Sequence, residues 1–89
     1  MHRNLIEVDE LLDDRRKTHG RWIDNARIVQ STKELWRREE GWQRLSNGQR
    51  EGLEMIAHKI ARILTGNPNH VDHWADVAGY AQLIVKELE

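Results

Sequence analysis

The stretch from Ser46 to Pro68 constrains the fold most. Leu53, Ile56, Ile60, Ile63 and Leu64 recur three and four residues apart, the spacing of one face of an α-helix. The stretch also carries its own start and stop signals. Ser46-Asn47-Gly48-Gln49 fits a capping box, with Ser46 capping and Gln49 reaching back. Gly66 stands where a C-terminal glycine cap belongs, and Pro68 follows it.

The same period runs through the rest of the chain and predicts four helices. The first covers about 4–17, with Leu5, Ile6, Val8, Leu11 and Leu12 inward, and breaks at Thr18-His19-Gly20. The second covers about 24–39, carries Ala26, Val29, Thr32, Leu35 and Trp36, and is ended by Gly41. Ser46 opens the third. The fourth begins near Val71, with Asn69 as cap and Asp72 at its positive start. Its expected buried stripe is Trp74, Ala78, Ala81, Val85 and Leu88. Trp36 and Trp74 are expected in the core, and Trp22 and Trp42 at its edge or in an interface. Gly79 is read as allowing close helix packing. The fold class is therefore all-α: a compact four-helix unit, with an N-terminal helix at 1–17 and a helical domain at 18–89.

The chain has 89 residues and a mass of 10.5 kDa, room for one domain. A domain this short buries only ~60% of its unfolded surface. Just 38% of residues are hydrophobic and none is Phe, so the core is expected to be completed by homodimerisation. The absence of Cys excludes a disulfide scaffold and a thiolate site. No apolar run suits a transmembrane helix or a signal peptide, so a soluble, cytoplasmic protein with no membrane partner is expected.

The net charge of -1 is a cancellation. Residues 1–14 sum to -4, residues 15–50 to +6 and residues 51–89 to -3. The balance does not suit a general nucleic-acid coat protein. The basic middle reads either as solvated helix faces or as a surface that meets phosphates.

Two constellations bear on chemistry. Glu51, Glu54, His58 and Arg62 share one face of the third helix, with Lys59 beside them. His73, Asp76 and Tyr80 share a face of the fourth, with Asp72 adjacent. If the two helices pack antiparallel, Lys59 or Arg62 reaches Asp72 or Asp76 as an ion pair. The alternative is a Mg²⁺ site, a hard cation that takes carboxylates, waters and phosphates. A zinc site from His58, His70 and His73 with Asp76 is disfavoured, because no H-x-x-x-H pair is present. No Gly-rich phosphate loop and no Ser-His-Asp arrangement is visible.

The stretch from Thr18 to Ala26 resembles the (H/Y)-G-D-x-x-x-N opening of a phage and prophage domain family of unknown function. His58-Lys59-Ile60-Ala61-Arg62-Ile63 resembles that family's K-x-A-R-(I/L) element, and the stretch from Asp72 to Tyr80 its D-x-W-x-D-(I/V)-A-G-Y element. The resemblance covers about 18–88. That family in turn looks like a compact relative of the all-α, MazG-like nucleoside triphosphate pyrophosphohydrolases, which bind Mg²⁺ through E-x-x-E and E-x-x-D helices. The resemblance implies Glu51, Glu54, Asp72 and Asp76 as metal ligands, with Glu54 and Asp76 catalytic. It implies Lys59 and Arg62 at phosphates, and His19, Trp22, Asn25 and Tyr80 at base or sugar. Two positions depart from the pattern. His73 stands where the third acid belongs, and Asp72 points about 100° away from it around the helix. Arg21 also replaces an acid. Nucleotide binding with or without turnover is one expectation. The other is a non-catalytic, phage-derived inhibitor or regulator that binds a host defence protein or a nucleotide signal.

Overall fold

The computed structural model describes residues 5–89, apart from the side chain of Ile6. The expected helix start at residue 4 and the inward position of Ile6 lie outside what is described. Among the described residues five helices follow one another: α1 (Leu5–His19), α2 (Trp22–Arg37), α3 (Glu40–Gln43), α4 (Asn47–Thr65) and α5 (Val71–Leu88). No strand occurs among the described residues.

α4 is the centre of the fold, packed between α5 and α2, with the end of α1 against it. Its capping box forms as expected. Gln49 N–H donates to Ser46 Oγ at 3.1 Å, and Ser46 N–H donates to Gln49 Oε1 at 2.9 Å. α5 runs antiparallel to α4: Gly48 lies by Glu87, Gly52 by Ile84, and Lys59 by Asp76. A methyl on Gly52 would sit 3.0 Å from Ile84, so the helices meet most closely there. α2 is also antiparallel to α4, since Lys33 reaches Glu54 and Asn25 reaches Thr65.

The fifth helix is a correction to the four expected. α2 stops at Arg37, where the Arg38 and Glu39 N–H groups tighten onto the Leu35 and Trp36 carbonyls. Gly41 therefore lies inside α3 and does not terminate α2. The short α3 folds Trp42 back onto Trp36, with ring centroids 6.2 Å apart. Arg50 on α4 then caps α3, donating to the Trp42 and Gln43 carbonyls at 3.2 and 3.1 Å. Trp42 is thus core, where the sequence left it at an edge.

Asn69 does not cap α5. Asn67 organises the turn instead, accepting the Asn69 N–H on Oδ1 at 3.0 Å and the His70 N–H on its carbonyl at 3.1 Å. His70 is the N-cap residue, without a side-chain bond.

The interior is small. Among the described residues, Val29, Trp42, Ala57 and Ala61 are the buried apolar ones, joined by His73 at 1% exposure. Several expected core positions face outward: Leu5, Leu11 and Leu12 of α1, Leu35 of α2, Leu53, Ile60 and Leu64 of α4, and Trp74, Val85 and Leu88 of α5. For α5 the reason is geometric. The helix carries two adjacent apolar stripes about 100° apart. The one that packs on α4 is His73, Val77, Tyr80 and Ile84, which are buried or half-buried. Gly79 is also open, with nothing of this chain within 4 Å of the place a methyl would occupy.

Candidate functional site

The turn between α1 and α2 is fitted directly onto the end of α4. Gly20 adopts φ +73°, a left-handed conformation that suits glycine. A methyl there would overlap the Thr65 side chain, and a methyl on Gly66 would overlap the Thr18 carbonyl. Thr18 O accepts two donors, Asn67 N–H at 3.0 Å and His73 Nε2–H at 2.6 Å. Asn25 Nδ2 donates to the His19 carbonyl at 2.7 Å, and the Thr65 hydroxyl donates to Asn25 Oδ1 at 2.7 Å. His73 is therefore a tie between α5 and this turn. The rings of His19, His70 and His73 pack against one another, with centroids 4.7 to 5.7 Å apart.

Beside this junction lies a cavity of about 180 Å³. It is lined by Leu12, Arg15, Arg16 and His19 of α1, Trp22 and Asn25 of α2, and His58 and Arg62 of α4. The last turns of α1 run in the same direction as α4, so Arg15 comes beside Arg62 as His19 comes beside Thr65. Arg16 is held by Asp13 at 3.4 Å. Arg15 and Arg62 have no carboxylate within 4.0 Å among the described residues. Trp22 is 80% exposed, its ring lying open at the rim.

The electrostatics follow from this crowding. Burial and then the neighbouring Arg15 make the charged form of Arg62 less favourable than usual, with Asp76 and Tyr80 partly opposing. Burial, Arg15, His73 and Arg62 together lower the His19 pKa from 6.5 to about 4. Burial, Lys33, Arg62 and Lys59 lower that of His58, against Glu51. Both imidazoles are neutral at pH 7, and the arginines supply the charge.

The His19 shift has a consequence for stability. Its folded pKa lies below its unfolded value, so the unfolded chain binds the proton first. The His19 contribution is intact above about pH 6.5 and is lost as pH falls toward about 4. Melting temperatures measured across this window should fall with pH, and His19→Gln should flatten that fall. An unchanged slope in the variant would assign the acid sensitivity elsewhere.

The cavity brings together five of the residues singled out for chemistry in the sequence: His19, Trp22, Asn25, His58 and Arg62. Tyr80 is on the α5 face toward α4, near Arg62, and does not line it. Lys59 does not line the cavity and holds Asp76 at 3.0 Å. The acids are dispersed. Glu54 lies between Lys33 at 3.8 Å and Arg37 at 3.7 Å, on the α2 side of α4. Glu51 is exposed, and Asp72 is 3.7 Å from His70. Among the described residues, no three His, Asp or Glu side chains are grouped to hold a metal. The four carboxylates expected around Mg²⁺ are therefore not gathered at one point among the described residues. Arg15 and Arg16 were not singled out in the sequence. Their signal is Arg15's position one turn before His19, at the opening of the basic block.

The chain is thus a helical protein with an arginine-lined cavity beside a glycine turn. The family model described as Domain of unknown function (DUF6378) matches residues 4–88, and the chain belongs to that family. The match includes the first helix, beyond the 18–88 of the sequence resemblance. No curated protein and no solved structure matches the chain at a significant level.

Proposed function

We propose that the chain binds a phosphate-bearing nucleotide in the cationic cavity, without turning it over as a single protomer. The observation that carries this reading is that Arg15 and Arg62 line one cavity and repel each other, with no carboxylate within 4.0 Å of either among the described residues. Like charges brought together inside a cleft are costly unless an anion relieves them. Arginine also suits phosphate oxygens through its planar fork of donors. Size divides the ligand into two parts. A cavity of about 180 Å³ is below the ~300–1,000 Å³ of a drug-sized site. It accommodates the phosphates and leaves the base outside, where the open ring of Trp22 offers a stacking platform. The pairing of Glu54 and Asp76 with cations supports binding over metal-assisted hydrolysis.

The working form in this reading is a homodimer, as the small core predicts. The test is a panel of NTPs and dNTPs with Mg²⁺ or Mn²⁺, followed by pyrophosphate release and by equilibrium binding in chelator. Saturable binding without metal and without pyrophosphate release is the expected result. Pyrophosphate release abolished by Glu54→Ala and by Asp76→Ala would replace this reading with the pyrophosphohydrolase.

A further inference from the structure

The outward stripe of α5 is a surface in search of cover. Val71, Trp74, Ala78, Ala81, Val85 and Leu88 occupy one sector of the helix about 100° wide, with no charged residue among them. All six are exposed, Leu88 by 70% and Trp74 by 55%. α4 adds a parallel ridge of Leu53, Ile60 and Leu64, spaced by two turns and then one. The two rows belong to a single face. Between them runs an apolar groove of about 320 Å³, lined by Leu53 and Ile56 from α4 and Ala81 and Ile84 from α5. The Trp74 ring is already fixed, because its Nε1–H donates to the Pro68 carbonyl at 2.7 Å. Its one polar group is satisfied, and an apolar ring is left on the surface as a rigid anchor.

We infer that this α4–α5 face is the interface with a second copy of the chain, paired about a two-fold axis near Ala78 and Ala81. The inference rests on the homodimer in the reading above and gives that homodimer its surface.

Area favours this occupant. The chain exposes 6963 Å², whereas a compact monomer of 10.5 kDa exposes about 5,400 Å². The outlying turns of α1 contribute part of the excess of about 1,500 Å². Obligate homodimers bury about 2,000 Å² or more in total, about 1,000 Å² per copy. The surplus is sufficient for such an interface. The core points the same way. With four buried apolar residues among those described, the chain needs permanent cover, and another copy is the partner always present in matching amount.

The face is also self-complementary. Along α5 the bulky residues lie at the ends, Trp74 near the start and Val85 and Leu88 near the finish, with Ala78 and Ala81 between them. Antiparallel pairing sets Trp74 of each copy against Val85 and Leu88 of the other, while the alanines let the backbones approach. Two helix pairs stacked in this way form a four-helix bundle. Arg62 lies two residues from Ile60, about 200° around α4. The cationic cavity is therefore on the opposite side and stays open in the dimer.

Light scattering on the wild-type chain, with Val85→Glu and Leu35→Glu variants, provides the test. The expected mass is twice 10.5 kDa for wild type and for Leu35→Glu, which changes an exposed leucine elsewhere. Val85→Glu should fall to the monomer mass. Because the chain lacks Cys, Ala78→Cys should form a disulfide-linked dimer on mild oxidation, and Gln30→Cys should not. This readout does not depend on Val85→Glu remaining folded. A wild-type monomer at micromolar concentration, or crosslinking no better at Ala78 than at Gln30, would overturn the interface. Nucleotide binding measured on the same samples separates this outcome from failure of the cavity reading.

Discussion

The Arg15→Ala, Arg62→Ala double variant should lose nearly all affinity for a nucleoside triphosphate, while Arg62→Ala alone loses about ten- to a hundredfold. A hydrogen bond to a charged group contributes about 1.5–3 kcal/mol, and tenfold in affinity corresponds to about 1.4 kcal/mol. Arg62 is half-buried between α1 and α4, so its contact with an anion is poorly screened by solvent. Arg15 is exposed and should contribute less by itself. The direction of the stability change separates this account from a structural one. Removing Arg62 relieves repulsion with Arg15, so the variant should keep or gain melting temperature as it loses ligand. Equilibrium binding and thermal unfolding on the same samples check both halves. Equal losses of affinity and stability would mean that Arg62 is a packing residue.

Gly66→Ala should be the most destabilising single-methyl change in the chain, with Gly20→Ala close behind. At Gly66 the added carbon meets the backbone of Thr18 and Gly20, which cannot rotate away. At Gly20 it meets Thr65 and also imposes a side chain on φ +73°. Overpacking costs about 1–3 kcal/mol, and an unfavourable positive φ adds to that. For a domain of this size each kcal/mol moves the melting temperature by about 4–8 °C. A fall of roughly 10–20 °C is therefore expected by calorimetry for either variant. Gly79→Ala is the control, since its methyl meets nothing in the chain. It should be neutral or slightly stabilising, because alanine favours the helix. A small effect at Gly66 would show that the α1–α2 turn does not sit against α4 as described.

The sequence was informative where a local rule decides the outcome. The capping box at Ser46 and Gln49, the turn at Gly20 and the antiparallel Lys59–Asp76 pair all occur as their spacing indicates. It was ambiguous where two local answers are equally good. α5 is apolar over two adjacent stripes, and periodicity does not say which one meets its own chain. The one read as core is the one left open. Gly66 was read as a helix cap. The close approach of a backbone forty-eight residues earlier, at Thr18, adds a second reason for glycine that no neighbouring residue announces. The candidate site divides in the same way. His19, Trp22, Asn25 and Arg62 converge because one turn and one helix place them. The acids separate because Lys33, Arg37 and Lys59 claim them first, and those cations come from the face on which each acid lies.

In the proposed complex, arginine charge binds phosphate while Trp22 holds the base. Calorimetric titration in chelator, using a nucleoside triphosphate, tripolyphosphate and the free nucleoside, tests it most directly. Saturable binding of the first two is predicted, weakened by added salt and by Arg62→Ala. The nucleoside triphosphate should bind more tightly than tripolyphosphate, and Trp22→Ala should remove that advantage. Absence of binding by either phosphate compound, or binding indifferent to Arg62→Ala, would contradict the account.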